Sequence, residues 1–321
     1  MTLLASMTAM VAQVSGGAGL VEQGGGGLEL LAAFLGASVR TATPLALAAL
    51  GETVSERAGV INIGLEGSII AGALGGTLAA ATLGVPGGFV AGALAGVLVA
   101  ALFALFVVGG EVDPIITGTA ITLLSLGLTG TVYRSVYGAE GVALSSPTAA
   151  VVAVPGLSAL PVIGPALFAQ PVVTYVTVVL VPLLSWLLFR THWGVALRAV
   201  GEAPEAAIAA GVRPRRVRLA AILLAGALAG VAGATLVLAQ AGTFVEGMSA
   251  GRGFIAIAIV VLGRRHPVGV ALAALLFGAA QSLQTLFQAM GWTGVPYQLF
   301  LAVPYLLTLA AMMLRGARSG R

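Results

Sequence analysis

What most constrains this chain is that it is apolar almost throughout and broken by one long basic stretch. Run after run reaches the about 20 residues that a helix needs to cross a bilayer. The break, Arg190 to Arg218, reads RTHWGVALRAVGEAPEAAIAAGVRPRRVR and separates apolar runs at 172–189 and 219–241. It holds six of the fifteen arginines. A loop this basic beside a membrane span belongs on the cytoplasmic side. Within it, Glu205-Ala206-Ala207-Ile208-Ala209-Ala210-Gly211 has the makings of one short helix. Pro204 suits its first turn, Gly211 suits its end, and Pro214 prevents continuation. About two turns span roughly 10 Å. Such a helix is suited to docking a soluble partner, and a capped helix resting on the membrane surface fits the same spacing.

Composition fixes the environment. Hydrophobic residues make up 59% of 321 and charged residues 8%, with a mean hydropathy of +1.08. A soluble domain would carry about 25% charged residues. The fold class is therefore all-α, a polytopic membrane helical bundle. The 46 glycines suit helices packed backbone to backbone. Cysteine and lysine are both absent. That excludes disulfides, thiolate metal sites, a P-loop lysine and a Schiff base. The net charge of +4 comes from arginine at the predicted edges and gives no reason to invoke a nucleic-acid polymer.

Spans are predicted at 28–51, 60–82, 87–108, 115–135, 172–189, 219–241, 252–263, 267–288 and 297–314, within a range of about 8–10 crossings. The run at 252–263 is short and reads as a half-helix or re-entrant segment. Residues 1–27 read as an N-terminal arm, 28–314 as one transmembrane domain and 315–321 as a cytoplasmic tail. The start lacks the basic region of a signal peptide. Alternating nine segments puts 190–218, Arg264-Arg265-His266 and the tail arginines inside together. It also puts 52–58 and 109–114 inside and 136–171 outside. The N-terminus then lies outside, unless a tenth crossing precedes. The five prolines of 136–171 predict an ordered loop with little regular structure.

Two motifs carry a family resemblance. Glu205-Ala206-Ala207-x-x-x-Gly211 resembles the EAA-x3-G signature of ABC importer permeases. The Ile-x-Leu-Pro that usually follows is incomplete, since no Pro comes after Ile222 and Leu223, which points to a sub-family. Residues 51–67, GETVSERAGVINIGLEG, resemble the entry to the second span of the branched-chain amino acid/simple sugar permease family. The wording is closest to the nucleoside-type branch that works with a lipoprotein of the basic membrane protein type. The similarity runs from about residue 38 to 313. The resemblance implies a non-catalytic permease in a bacterial plasma membrane, importing nucleosides or related ribosides, or alternatively simple sugars. It implies a second permease subunit, an ABC ATPase and an extracytoplasmic lipoprotein as partners. ATP and magnesium belong on the ATPase, with no cofactor in this chain. Glu205, Ala206, Ala207 and Gly211 then become the ATPase-coupling residues.

Polar residues inside apolar spans are costly and invite a functional reading. Arg40 lies mid-way along the first span, and Glu66 about two turns into the second. They can pair if those helices touch, and a packing role leads for such a pair. Asn62 and Glu66, four apart, are expected on one helical face. Gly118, Thr122, Ser125 and Thr129 form a stripe on the fourth span. Gln281, Gln284 and Gln288 form another on the eighth, with Thr285 beside them. Neutral amides and hydroxyls can hydrogen-bond a neutral polar cargo, and small or hydroxyl residues also glue helices together. The pathway candidates are Asn62, Glu66, Thr122, Gln281 and Gln284. Gly226, Gly230 and Gly233 read as close packing, and Glu111 with Asp113 as a turn and helix start. His192 and His266 lack metal-ligand spacing, so no metal site is expected. A self-sufficient secondary transporter is the alternative from another class; it would need coupling-ion sites, and an inverted repeat between the two halves stays an open question.

Overall fold

A computed structural model describes residues 27–138, 146–158 and 160–289, with side chains through 286. The tail, the ninth predicted span and nearly all of the N-terminal arm lie outside the described residues. Helix α1 is Gly27–Arg57, α2 is Leu65–Ala104 and α3 is Pro114–Tyr137. A short hairpin pairs β1, Val151–Ala153, antiparallel with β2, Ala169–Pro171, and α4, Ile163–Leu167, lies between them. Then come α5, Val172–Arg190, α6, His192–Glu202, and α7, Pro204–Ala209. The chain continues with α8, Pro214–Thr235, α9, Arg252–Leu262, and α10, Pro267–Ala289. π-helical turns extend α2 through Leu105–Gly109 and α8 through Leu236–Ala241.

Six of the described helical stretches are long and apolar enough to cross a membrane. The longest, Leu65–Gly109, has 45 residues and is really two crossings. At Gly84 the backbone takes φ 70° and ψ −177°, a combination open to glycine and not to L side chains. Beyond it the chain runs back on itself. A Cβ added to Gly88 would lie 2.8 Å from the Gly76 carbonyl oxygen, and one on Gly92 would lie 3.0 Å from that of Gly72. The two limbs match the separate spans expected at 60–82 and 87–108.

Helix α8 is the hub, packed against both limbs of α2 and against α1. Its seam with α2 consists of backbone. A Cβ on Gly230 would collide with the Gly92 carbonyl, one on Gly233 with that of Ile69, and one on Gly96 with that of Gly226. Without a hydrophobic drive between helices in lipid, such close van der Waals contact is what holds them. The structural reading of Gly226, Gly230 and Gly233 is therefore what the packing shows. Gly51 meets Ala225 in the same way on the α1 side, and Gly278 of α10 sits on Ser38 and Ala42.

The basic segments gather at one end of the bundle. Arg265 Nε donates to Glu56 Oε2 at 2.8 Å, and Arg57 Nε donates to the Arg265 carbonyl at 2.9 Å. Arg57 also faces Glu202 at 3.9 Å, and Arg215 pairs with Glu111 at 2.6 Å. The ends of α1, α5 and α9, the 109–114 turn and the start of α8 thus share a face. Asp113 caps α3, its Oδ1 accepting from Ile115 and Ile116 N–H at 2.8 and 3.0 Å. The opposite end carries the described part of 136–171, with the short helix and two strands noted above. Gln170 ties it to α1 by donating to the Gly36 carbonyl. There Arg134 binds both oxygens of Glu246 and holds that carboxyl below its usual range.

Candidate functional site

The basic loop is more structured than its sequence indicates. Thr191 caps α6 by accepting from Gly194 N–H at 3.1 Å, and Gly194, Leu197 and Val200 turn inward. The spacing 194/197/200 was the available signal for this helix, which the sequence reading passed over as basic loop. Phe189 at the end of α5 forms an anchor. His266 stacks on it at 4.9 Å, and the guanidinium groups of Arg198 and Arg57 lie 5.2 and 5.5 Å from its centroid. Gly201 passes so close that a Cβ would collide with the Arg57 carbonyl.

Helix α7 begins at Pro204, and its end is built by Gly211 in the left-handed region, φ 81°. Val212 N–H donates to the Ala207 carbonyl and Gly211 N–H to that of Ile208, both at 2.9 Å. These crossed bonds are a Schellman ending and satisfy carbonyls that a helix end leaves open. Ala207 is turned inward, whereas Glu205, Ala206 and Gly211 are exposed and Ile208 is 59% exposed. The loop thus presents a short, capped, mostly small-residue helix on an anchored base.

A second cluster forms deep in the bundle. Glu66 lies in the first turn of α2, and its carboxylate reaches the start of α9. Oε1 accepts from Gly251 N–H at 2.8 Å and Oε2 from Gly253 N–H at 2.6 Å. Arg40 and Glu66, which could pair if their helices touched, form no ion pair among the described residues. The free amides at the start of α9 take the carboxylate, while the Arg40 carbonyl accepts from Gln240 Nε2 at 2.7 Å. Helix α9 has 11 residues, about 16 Å, roughly half of a 30 Å bilayer core. It ends beside Arg265, so its start and Glu66 lie near mid-membrane.

The expectation for Asn62 is corrected. It precedes α2 in a non-helical segment, so the four-residue rule does not put it on a face with Glu66. Its backbone N–H donates to Glu52 Oε1 at 2.7 Å. Ser55 Oγ donates to the Val60 carbonyl and holds the same returning segment. The side-chain atoms of Asn62 and Glu52 Oε2 are buried without hydrogen-bond partners. Glu52 was not among the sequence candidates, although it stands inside the 51–67 motif.

The hydroxyl stripe of α3 lies against α2. Thr122 Oγ1 donates to the Ile63 carbonyl at 3.3 Å, Gly118 abuts Ile63 and Gly64, and Ser125 abuts Gly67. Thr129 Oγ1 donates to the Ser125 carbonyl. Gln281 and Gln284 are half-buried on α10, with Thr285 Oγ1 donating to the Gln281 carbonyl. The side chain of Gln288 lies outside the described residues. The structure does not bring the α10 amides together with Asn62 or Thr122 in any recorded hydrogen bond.

Comparison with known proteins places the chain. It is 33% identical over 294 residues to a guanosine ABC transporter permease protein of Bacillus subtilis, covering 89% of this chain and 92% of that protein. It is 34% identical over 281 residues to a nucleoside ABC transporter permease protein of Lactococcus lactis, covering 85% and 88%. A putative glucose ABC transporter permease protein of Haloferax volcanii is 35% identical over 264 residues, covering 82% and 80%. No solved structure matches. The family model described as branched-chain amino acid transport system / permease component matches residues 34–312. With its helical bundle and its capped, exposed loop helix, this chain belongs to that family of ABC transporter permeases, as a multi-pass membrane protein.

Proposed function

We propose that this permease carries nucleosides or related ribosides inward as the membrane subunit of an ATP-driven importer in the plasma membrane. The observation that carries the reading is the pair of guanosine and nucleoside permeases that align over more than four-fifths of both chains. In this reading the arginine-rich end faces the cytoplasm, and 28–314 is one transmembrane domain. Helix α7 docks the ABC ATPase through Glu205, Ala206 and Ala207, with Gly211 ending the helix. ATP and magnesium bind on that ATPase, and chemistry is left to it. A second permease subunit completes the path, and a lipid-anchored binding protein delivers solute to the opposite end. Gln281 and Gln284, with Asn62, Glu66 and Thr122 as deeper candidates, supply the polar contacts of the route.

The experiment is uptake by the reconstituted complex, with and without ATP hydrolysis, across a panel of nucleosides and monosaccharides. The expected outcome is ATP-dependent accumulation of nucleosides above all monosaccharides. Accumulation of monosaccharides alone favours the second reading, a sugar permease, for which the putative glucose permease relative is the specific support. Uptake that persists without ATP hydrolysis and follows an ion gradient sinks both.

A further inference from the structure

The junction at Glu66 is an anion site that the protein occupies itself. Two helices begin there and run away from each other. Helix α9 leads to Arg265 and the arginine-rich end, whereas the first limb of α2 leads to the opposite end. Their starts abut. A Cβ added to Gly253 would come within 2.6 Å of Glu66 N and 2.7 Å of its Cα. Each start carries the positive end of a helix dipole, and the Gly251 and Gly253 N–H groups of α9 point at the Glu66 carboxylate. A full positive charge sits beside them. Arg252, largely enclosed, donates to the Met248 and Ser249 carbonyls at 2.7 and 3.3 Å. Three sources of positive potential therefore meet near the bilayer middle, with Glu66 almost wholly buried among them. Both oxygens of Glu66 accept from this cradle, the pattern of a carboxylate.

We propose that Glu66 is a specificity-determining residue that fills this anion cradle from within, so that the permease conducts neutral solutes and gives an anionic solute no mid-membrane foothold. Helix starts readily bind external carboxylates and phosphates. Broken helices in transporters use such starts to hold an anionic substrate group. Here the position is taken. A carboxylate-bearing solute would have to displace a side chain that is tethered, buried at 4% exposure and held by two amides. The proposal rests on the reading that a solute crosses through this chain. It predicts that removing the side chain leaves a vacancy fitted to a small monocarboxylate.

The test uses the complete transporter in liposomes with the neutral solute it carries best. Glu66→Ala removes both charge-assisted hydrogen bonds and should lower uptake by more than about tenfold, the loss expected for one of them. Formate or acetate should restore it, and neutral formamide should not. Glu66→Asp keeps the charge and should retain more uptake than the isosteric Glu66→Gln, whose amide NH₂ would face backbone N–H groups. Gln performing as well as Asp overturns the proposal, and so does equal rescue by formamide and formate. If Glu66→Ala does not assemble, the Asp and Gln variants still decide. Failure of the transport reading is seen separately. If the wild-type complex shows no ATP-dependent uptake, the thermal midpoint of Glu66→Ala is compared with formate and with formamide. A rise with formate alone supports the cradle, and no difference refutes it.

Discussion

At the scale of single residues, two positions connect geometry to transport. Gly211 ends α7 at φ 81°, with nothing within 4 Å of where a Cβ would be. Space is therefore ample, and only the backbone conformation resists substitution. Gly211→Val should cost about 1–3 kcal/mol of local strain and fray the helix that meets the ATPase. Solute-stimulated ATP hydrolysis should drop while membrane insertion, measured by protein level in washed membranes, stays at wild type. Gln281 is half-buried on α10, and an amide facing lipid would lack partners. Gln281→Leu should lower uptake and reorder the preference among nucleosides with protein level kept; degraded protein would mark it as packing instead. Residue types at these places were legible, but partners were not. Asn62 looked helical because Val60, Ile61, Ile63 and Leu65 flank it and lead into the long apolar run of α2. The structure leaves 60–64 non-helical because Glu52 and Ser55, ten and five residues upstream, take up its backbone groups. No local periodicity encodes a bond of that kind.

At the scale of elements, length and hydropathy revealed the crossings and small residues revealed the seam. The Leu83–Pro86 interruption was enough to separate the limbs of α2, and the shortness of 252–263 was enough to expect a half-helix. Helix α6 was missed because its charge pattern looked like loop while its inward face, Gly194, Leu197 and Val200, needed a neighbour to be meaningful. The seam gives the sharpest element-scale expectation. Gly230 is pressed against the Gly92 carbonyl and Gly96 Cα, so Gly230→Leu must push α8 from the second limb of α2. Overpacking of this kind typically costs about 1–3 kcal/mol and more where backbone must move. We expect loss of folded complex in size-exclusion profiles. Gly127→Ala, which meets nothing within 4 Å, should behave as wild type and serves as the matched control.

At the scale of the whole molecule, the bundle is polarised. Arginine-bearing segments from five parts of the chain contact one another at one end, as alternating crossings require. The chain has no cysteine, so single-cysteine labelling can assign that end without altering a background. A cysteine at Glu205 should react with an impermeant maleimide in inside-out vesicles and not in intact cells. One at Leu157, which is exposed at the other end, should show the reverse. Labelling at 205 from outside would invert the topology. One feature distinguishes the interior of this polarised body. Between Ala241 and Arg252 the crossing that ends in α9 is not helical, and four residues there, Gly242, Gly247, Ala250 and Gly251, take positive φ. A segment of this kind lacks the regular ladder of bonds that shields peptide groups in lipid, so it persists only where protein or water attends it. Hydrogen–deuterium exchange should therefore be uneven across the bilayer. Amides of 247–250, between the exposed Arg134–Glu246 pair and Glu66, should exchange well ahead of those in α8 at comparable depth, marking a strip of backbone that water reaches from one end.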